Sequence, residues 1–217
     1  MFYPDSVLDA IYRHPCPDEP QGYYTRTPYG TVDILPAEAA VEKYMRHSHL
    51  AFLGYNTAAE DQIEKLEEYV KNGGKLLLGW CHLLTDTDRE TAIRGIPHPL
   101  DARRLTGLCL RSFRQGADGG RYGDVEQMAE HMEVLETREG VPFVIRRKLG
   151  KGQVYFVNAA EYPADQRVRD TYENLLRQFA EEAARENFHK GWMTGNDTVG
   201  TAVYDREDGQ RVIYAVN

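Results

Sequence analysis

Leu50-Ala-Phe-Leu-Gly-Tyr55 and Lys75-Leu-Leu-Leu-Gly79 are short apolar runs with no polar alternation. That is the pattern of parallel strands covered on both faces. Between them the period changes. Ile63, Leu66 and Val70 fall on one side of a helix, with Glu60, Glu64, Lys65, Glu67, Glu68 and Lys71 turned to water. Asn56-Thr57 is suited to open that helix, and Asn72-Gly73-Gly74 to close it, because glycine accepts the left-handed backbone of a C-cap. Upstream, the β-branched run Gly30-Thr-Val-Asp-Ile-Leu-Pro36 predicts a strand, and the helix formers of Ala37 to Arg46 a helix. Three strands ending near 36, 55 and 79, joined by helices, predict a parallel sheet with the strands side by side.

Residues from about 84 to 130 are rich in Arg, Asp and Gly. They predict only a short helix near Asp88–Arg94 and a loop at Gly116–Gly120. Order returns with strands at Glu133-Val-Leu-Glu136, Pro142–Arg146 and Gln153–Val157, the last two joined by a tight turn at Leu149-Gly-Lys-Gly152. An amphipathic helix follows from about Asp165 to Asn187, burying Val168, Tyr172, Leu175, Leu176 and Phe179. After Gly191, Thr198–Tyr204 and Arg211–Val216 flank Arg206-Glu-Asp-Gly-Gln210 as a β-hairpin. A lone hairpin is marginal in water, so it reads as the opening of a further β-sandwich module, the alternative being a hairpin folded back on the α/β domain. Ser6 to Arg13 resembles a helix with no strand ahead of it, which suggests that the fold's first strand is missing. The expected division is an α/β domain over 1–190 and a β unit over 191–217.

The chain has 217 residues, with 26 Lys+Arg against 34 Asp+Glu, a formal charge of −8. An acidic balance without a Lys/Arg block argues against nucleic acid as partner. Mean hydropathy is −0.59, and no run reaches the roughly 20 apolar residues that span a bilayer, so no membrane role is expected. Met1-Phe2-Tyr3-Pro4-Asp5 lacks the basic start and apolar core of a secretory signal. Cys16, Cys81 and Cys109 are an odd number, which favours free thiols and a reducing, cytoplasmic setting. No metal or cofactor motif is present: the pair His47 and His49 reads as a surface turn, and Thr85-Asp86-Thr87-Asp88 as a helix cap.

Leu66-Glu-Glu-Tyr69-Val70-Lys-Asn-Gly73-Gly74-Lys-Leu-Leu, then Gly140-Val-Pro142, Arg146 and Gly150-Lys151-Gly152-Gln-Val-Tyr155-Phe156, occur in an order that resembles the class I glutamine amidotransferase-like superfamily. The resemblance covers about residues 25–188. It is nearest to the non-catalytic branch found beside glycoside-hydrolase barrels, such as the trimerisation domain of the family 42 β-galactosidases. It implies a flavodoxin-like, doubly wound and mostly parallel sheet with a late β-arm. It also implies an accessory or oligomerisation role in a larger carbohydrate-active protein, whose partners would be neighbouring domains, other copies of the chain, or carbohydrate.

Catalytic members of that superfamily carry a G-x-C-x-G elbow and a His-x-Glu pair. Gly79-Trp80-Cys81-His82-Leu83 keeps the cysteine but puts leucine where the second glycine belongs. His131-Met132-Glu133 has the right spacing but precedes the late β-arm. Cys81, His131 and Glu133 are therefore the candidates for a triad, with an inert, buried Cys81 the favoured reading. The other candidate site is the rim beyond the strands' carboxyl ends, where Tyr55, Asn56, Trp80, His82, Asn158 and Glu161 could stack on and hydrogen-bond a sugar, or could simply cap turns and helices.

Overall fold

A computed structural model describes residues 32–53, 58–83, 99–127, 129–187, 200–205 and 209–216. The elements run α1 (Val41–Tyr44), β1 (His49–Ala51), α2 (Glu60–Lys71), β2 (Lys75–Gly79), a 3-10 turn (Trp80–His82), α3 (Pro99–Thr106), β3 (Leu108–Gln115) and β4 (Arg121–Gln127). They continue with β5 (Met132–Arg138), β6 (Val141–Leu149), β7 (Gly152–Val157), α4 (Arg169–Asn187), β8 (Gly200–Asp205) and β9 (Arg211–Val216).

The central sheet has the order β1-β2-β7-β6-β5. Its first half is parallel, with Leu76 beside Leu50 on one flank and beside Val154 on the other. Its second half is antiparallel through β7, β6 and β5. The protein is thus mixed α/β, but its sheet corrects the expected one. Residues 32–36 form no strand, and the neighbour of β2 on its far side is β7, from much later in the chain. The late β-arm is half of the sheet. The expected helix at Ser6–Arg13, the turn residues Tyr55 and Asn56, the helix near Asp88–Arg94, and Cys16 all lie outside the described residues.

Period-two alternation assigns the two faces. Leu76, Leu78, Val154 and Phe156 share one core with Ile63, Leu66 and Val70 of α2. Leu77, Tyr155 and Val157 share the other with Val168, Tyr172, Leu175 and Phe179 of α4. Each such buried side chain stabilises the fold by about 1.5–3 kcal/mol. The helix-bearing faces predicted from the sequence are the buried ones, and Leu176 is partly buried beside them. Glu67, expected on a solvated face, is drawn into ion pairs with Arg104 of α3 (2.8 Å) and Lys71 (2.7 Å).

The motif that carried the resemblance is a packing joint. A Cβ on Gly74 would overlap the ring of Tyr69, and one on Gly152 would overlap the carbonyl oxygens of Gly74 and Val70. Gly150 has φ +61 and lies against the backbone of Lys71, whose carbonyl accepts from the Lys151 N–H at 3.0 Å. The end of α2 and the β6–β7 turn therefore touch backbone to backbone, which only glycine permits.

The irregular stretch hides three elements that the sequence pattern did not reveal. α3 packs on α2, and its last carbonyls accept from Arg147 Nη1 at 2.8–3.2 Å. β3 and β4 pair as a separate antiparallel ribbon around the expected Gly116–Gly120 loop. β8 and β9 form the expected terminal hairpin.

Candidate functional site

β2 ends at Gly79, and the 3-10 turn that follows carries Trp80, Cys81 and His82, all fully buried. Neighbouring β7 runs on into Asn158 and, three residues later, Glu161, both buried as well. The predicted rim residues Trp80, His82, Asn158 and Glu161 therefore lie at the carboxyl ends of two adjacent parallel strands. Tyr55 and Asn56 lie outside the described residues.

The structure brings Trp80 and Asn158 into contact, and it uses them up. The Trp80 indole N–H donates to Asn158 Oδ1 at 2.5 Å, and the ring meets Phe156 edge-on. Asn158 Nδ2 donates to the carbonyls of Gly123 (2.9 Å) and Pro142 (2.7 Å). Glu161 accepts from the Arg121 backbone N–H (3.0 Å) and from Arg121 Nε (3.2 Å). His82 packs edge-on against Phe52 and Tyr162. Buried polar groups are costly unless bonded, and these bonds run almost wholly to the chain itself. The indole face that could stack on a sugar is covered.

Cys81 lies in the same enclosure. Its sulfur is 3.8 Å from the hydroxyl of Tyr172 on α4, a partner with no signal in the sequence beyond its place on the helix's apolar face. Burial pushes the thiol up to about 12, against a smaller downward pull from Tyr172. A nucleophilic thiolate needs the opposite. Nor do the expected partners arrive. His131 is exposed and precedes β5, with its carbonyl accepting from the N–H of Lys148, which lies abreast of Gln153 and Lys75. It is thus three strands from β2, about 14 Å across the sheet, and at the end away from Cys81. Glu133 pairs with Arg146 at the surface (2.5 Å). The structure does not assemble Cys81, His131 and Glu133.

The titratable cluster lies at the opposite end of the parallel strands. Lys75 Nζ donates to Glu182 (2.8 Å) and Glu186 (2.9 Å) of α4. His49 Nε2 is 3.4 Å from Glu182, its Nδ1 is 2.8 Å from Ser48 Oγ, and its ring meets Phe179 edge-on. His49 is thus part of the packing between β1 and α4, which corrects the surface-turn reading of that histidine. Burial lowers the His49 pKa despite Glu182. Burial raises that of Glu182, but bonds from Lys75, Gln178 and His49 outweigh it and hold the carboxyl at about 2. No group of three or more His, Cys, Asp or Glu among the described residues could hold a metal ion. No helix among them is long and apolar enough to cross a membrane.

No protein-family model matches the chain. In sequence it is 27% identical over 148 aligned positions to the β-galactosidase Pbg of Clostridium perfringens, covering 57% of this chain and 21% of that protein. In structure it resembles a polyextremophilic β-galactosidase of the haloarchaeon Halorubrum lacusprofundi, with TM-score 0.54 and 17% identity over 88% of this chain and 28% of that one. A cold-adapted β-galactosidase of Rahnella sp. R3 gives TM-score 0.53 and 15% identity over 81% and 28%. The chain spans about a fifth of the length of the curated relative, and the structural likeness is one of fold.

Proposed function

We propose that this chain is an accessory α/β domain of a larger, β-galactosidase-like carbohydrate-active protein. In this reading it supplies domain packing and contacts between copies, and the catalytic residues lie elsewhere in the parent protein. The glutamine amidotransferase-like kinship, the cytoplasmic setting and a further β module beginning at β8–β9 belong to the same reading.

One observation carries it. The strand-end rim, where a fold of this kind would do its chemistry, is filled by the chain's own side chains and backbone, with the Cys81 thiol enclosed against Tyr172. The partial match to β-galactosidases supports the parent class. The surface for contacts is edge strand β5, which shows Val134 at 47% and Leu135 at 40% exposure. An unpaired edge with exposed apolar residues favours association.

Three measurements on the purified chain test this. Glutamine and a nitrophenyl β-galactoside should both remain unhydrolysed. A thiol probe at pH 7.5 should leave Cys81 unlabelled until denaturant is added. Light scattering should show a mass above the 24.8 kDa monomer at micromolar concentration. Glutamine-dependent ammonia release abolished by Cys81→Ala would overturn the reading, as would a strict monomer at all concentrations.

A further inference from the structure

Open sheets with parallel strands bind ligands in the crevice beyond the carboxyl ends of those strands. In this chain the crevice has an occupant. The β3–β4 ribbon lies across it. Its backbone hydrogen bonds to the sheet gather on residues 158–161, and Tyr122 packs edge-on against Phe143 of β6. Asn158 Nδ2 donates to the Gly123 carbonyl at 2.9 Å, and the Gly123 N–H donates back to the Asn158 carbonyl at 3.3 Å. Tyr122 forms an isolated bridge with Ala159, and the Ala160 N–H donates to the Arg121 carbonyl at 3.0 Å. The Arg121 N–H donates to Glu161 Oε2 at 3.0 Å.

Gly123 is what lets the ribbon seat so deeply. A Cβ there would overlap Asn158 Oδ1 and stand 2.8 Å from Trp80 Nε1. Beyond these bonds the ribbon is paired with itself, apart from its loop, where the Ala117 N–H donates to Glu139 at 2.9 Å and the Gly119 carbonyl accepts from Arg167 Nη1 at 2.7 Å; it belongs to no register of the five-stranded sheet. Leu110, Phe113 and Val125 meet the core only as partly buried side chains, while Leu108 and Tyr122 are buried fully.

We infer that the β3–β4 ribbon is an in-chain plug: its backbone takes the hydrogen-bonding places at the strand ends, and it opens as one unit, uncovering Trp80 while the sheet stays folded. An element with its own internal pairing, tied to its surroundings by a short set of bonds, is the kind that opens sub-globally. The inference stands on these contacts and not on the proposed parent protein.

The chain has two tryptophans, so Trp192→Phe leaves Trp80 as the sole tryptophan, read by excitation at the red edge where tyrosine does not absorb. In that background Gly123→Val should redden Trp80 emission and raise its acrylamide quenching about threefold, with the exchange protection of amides 75–79 and 152–157 retained. Unchanged quenching in a folded Gly123→Val protein overturns the plug. If that variant does not fold, hydrogen exchange on the unsubstituted chain decides. Amides of 108–115 and 121–127 exchanging together and faster than those of 152–157 support the plug, whereas a common rate overturns it. Trp80 quenched in the Trp192→Phe chain as readily as free tryptophan also overturns it, since the rim would then stand open.

Discussion

The two ends of the parallel strands solve opposite physical problems. At the carboxyl ends, Trp80, Cys81, Asn158 and Glu161 are withdrawn from water and bonded within the chain, and the one nucleophile among them is raised to about 12. At the amino ends, Lys75, Glu182 and Glu186 keep their charges by pairing, with His49 held beside them. The first end has the residue types of a site and the environment of a core. The second has the environment of a switchable cluster on residues that look, in sequence, like ordinary surface. Residue type therefore does not say which end keeps its polar groups charged and wet; solvation does.

Four perturbations sharpen that contrast. The largest effect is expected at the amino ends, where two backbones meet. Gly152→Val drives a side chain into two backbone carbonyls, and it should cost at least about 4 kcal/mol or prevent folding, read by guanidinium unfolding. A loss under about 1 kcal/mol would mean that the joint between α2 and the β6–β7 turn yields easily.

At the carboxyl ends, Asn158→Leu keeps the approximate volume but leaves the Trp80 N–H and the carbonyls of Gly123 and Pro142 without their partner. Leaving buried polar groups unpaired should cost about 3 kcal/mol in the same assay. A neutral outcome would show that water reaches the rim.

Acid should distinguish the ends next. Glu182 lies at about 2 when folded and near 4.5 otherwise, so its contribution is complete above 4.5 and is lost as pH falls toward 2. His49, lowered by burial, acts in the same direction, since below 6.5 the unfolded chain takes up a proton before the folded one does. Together they should remove on the order of 1–2 kcal/mol between neutral pH and pH 3. Glu182→Gln should flatten that slope, and an unchanged slope would assign it to other carboxylates. Smallest of all, Glu133→Ala breaks only an exposed pair with Arg146 and should change stability by under about 0.5 kcal/mol. A larger loss would mean that the His131–Glu133 segment does more than border the sheet.

Much of this was legible in the residues. The helix at 60–71, the apolar run 75–79 and the stripe from Val168 to Phe179 each bury a full face, so their periodicity is strong, and the turn at 149–152 is marked by its glycines. The ribbon was not legible because it buries only a narrow face. Leu108, Leu110 and Tyr122 are interrupted by Arg111, Arg114 and Arg121, which stay in water, and only the Gly116–Gly120 loop marked its position. The run before Pro36 failed for the converse reason: β-branched residues favour a strand, but residues 32–36 pair with none. For the candidate site, the rim residues Trp80, His82, Asn158 and Glu161 lie at the strand ends, with Cys81 buried beside them. Their partners Tyr172, Arg121 and Gly123 come from distant elements, and no spacing rule reaches them.

The sequence by itself determined what is local and strongly periodic: the helices and strands that bury a full face, which sides of them are apolar, and where glycine must stand for two backbones to meet. Tertiary structure alone decided which strand lies next to β2, that a ribbon from the irregular region covers the strand ends, and that His49 and Lys75 share two carboxylates of α4. The physical reason is range. Periodicity and turn chemistry act over a few residues, whereas desolvation and charge pairing depend on groups dozens of positions away that only the folded chain brings together.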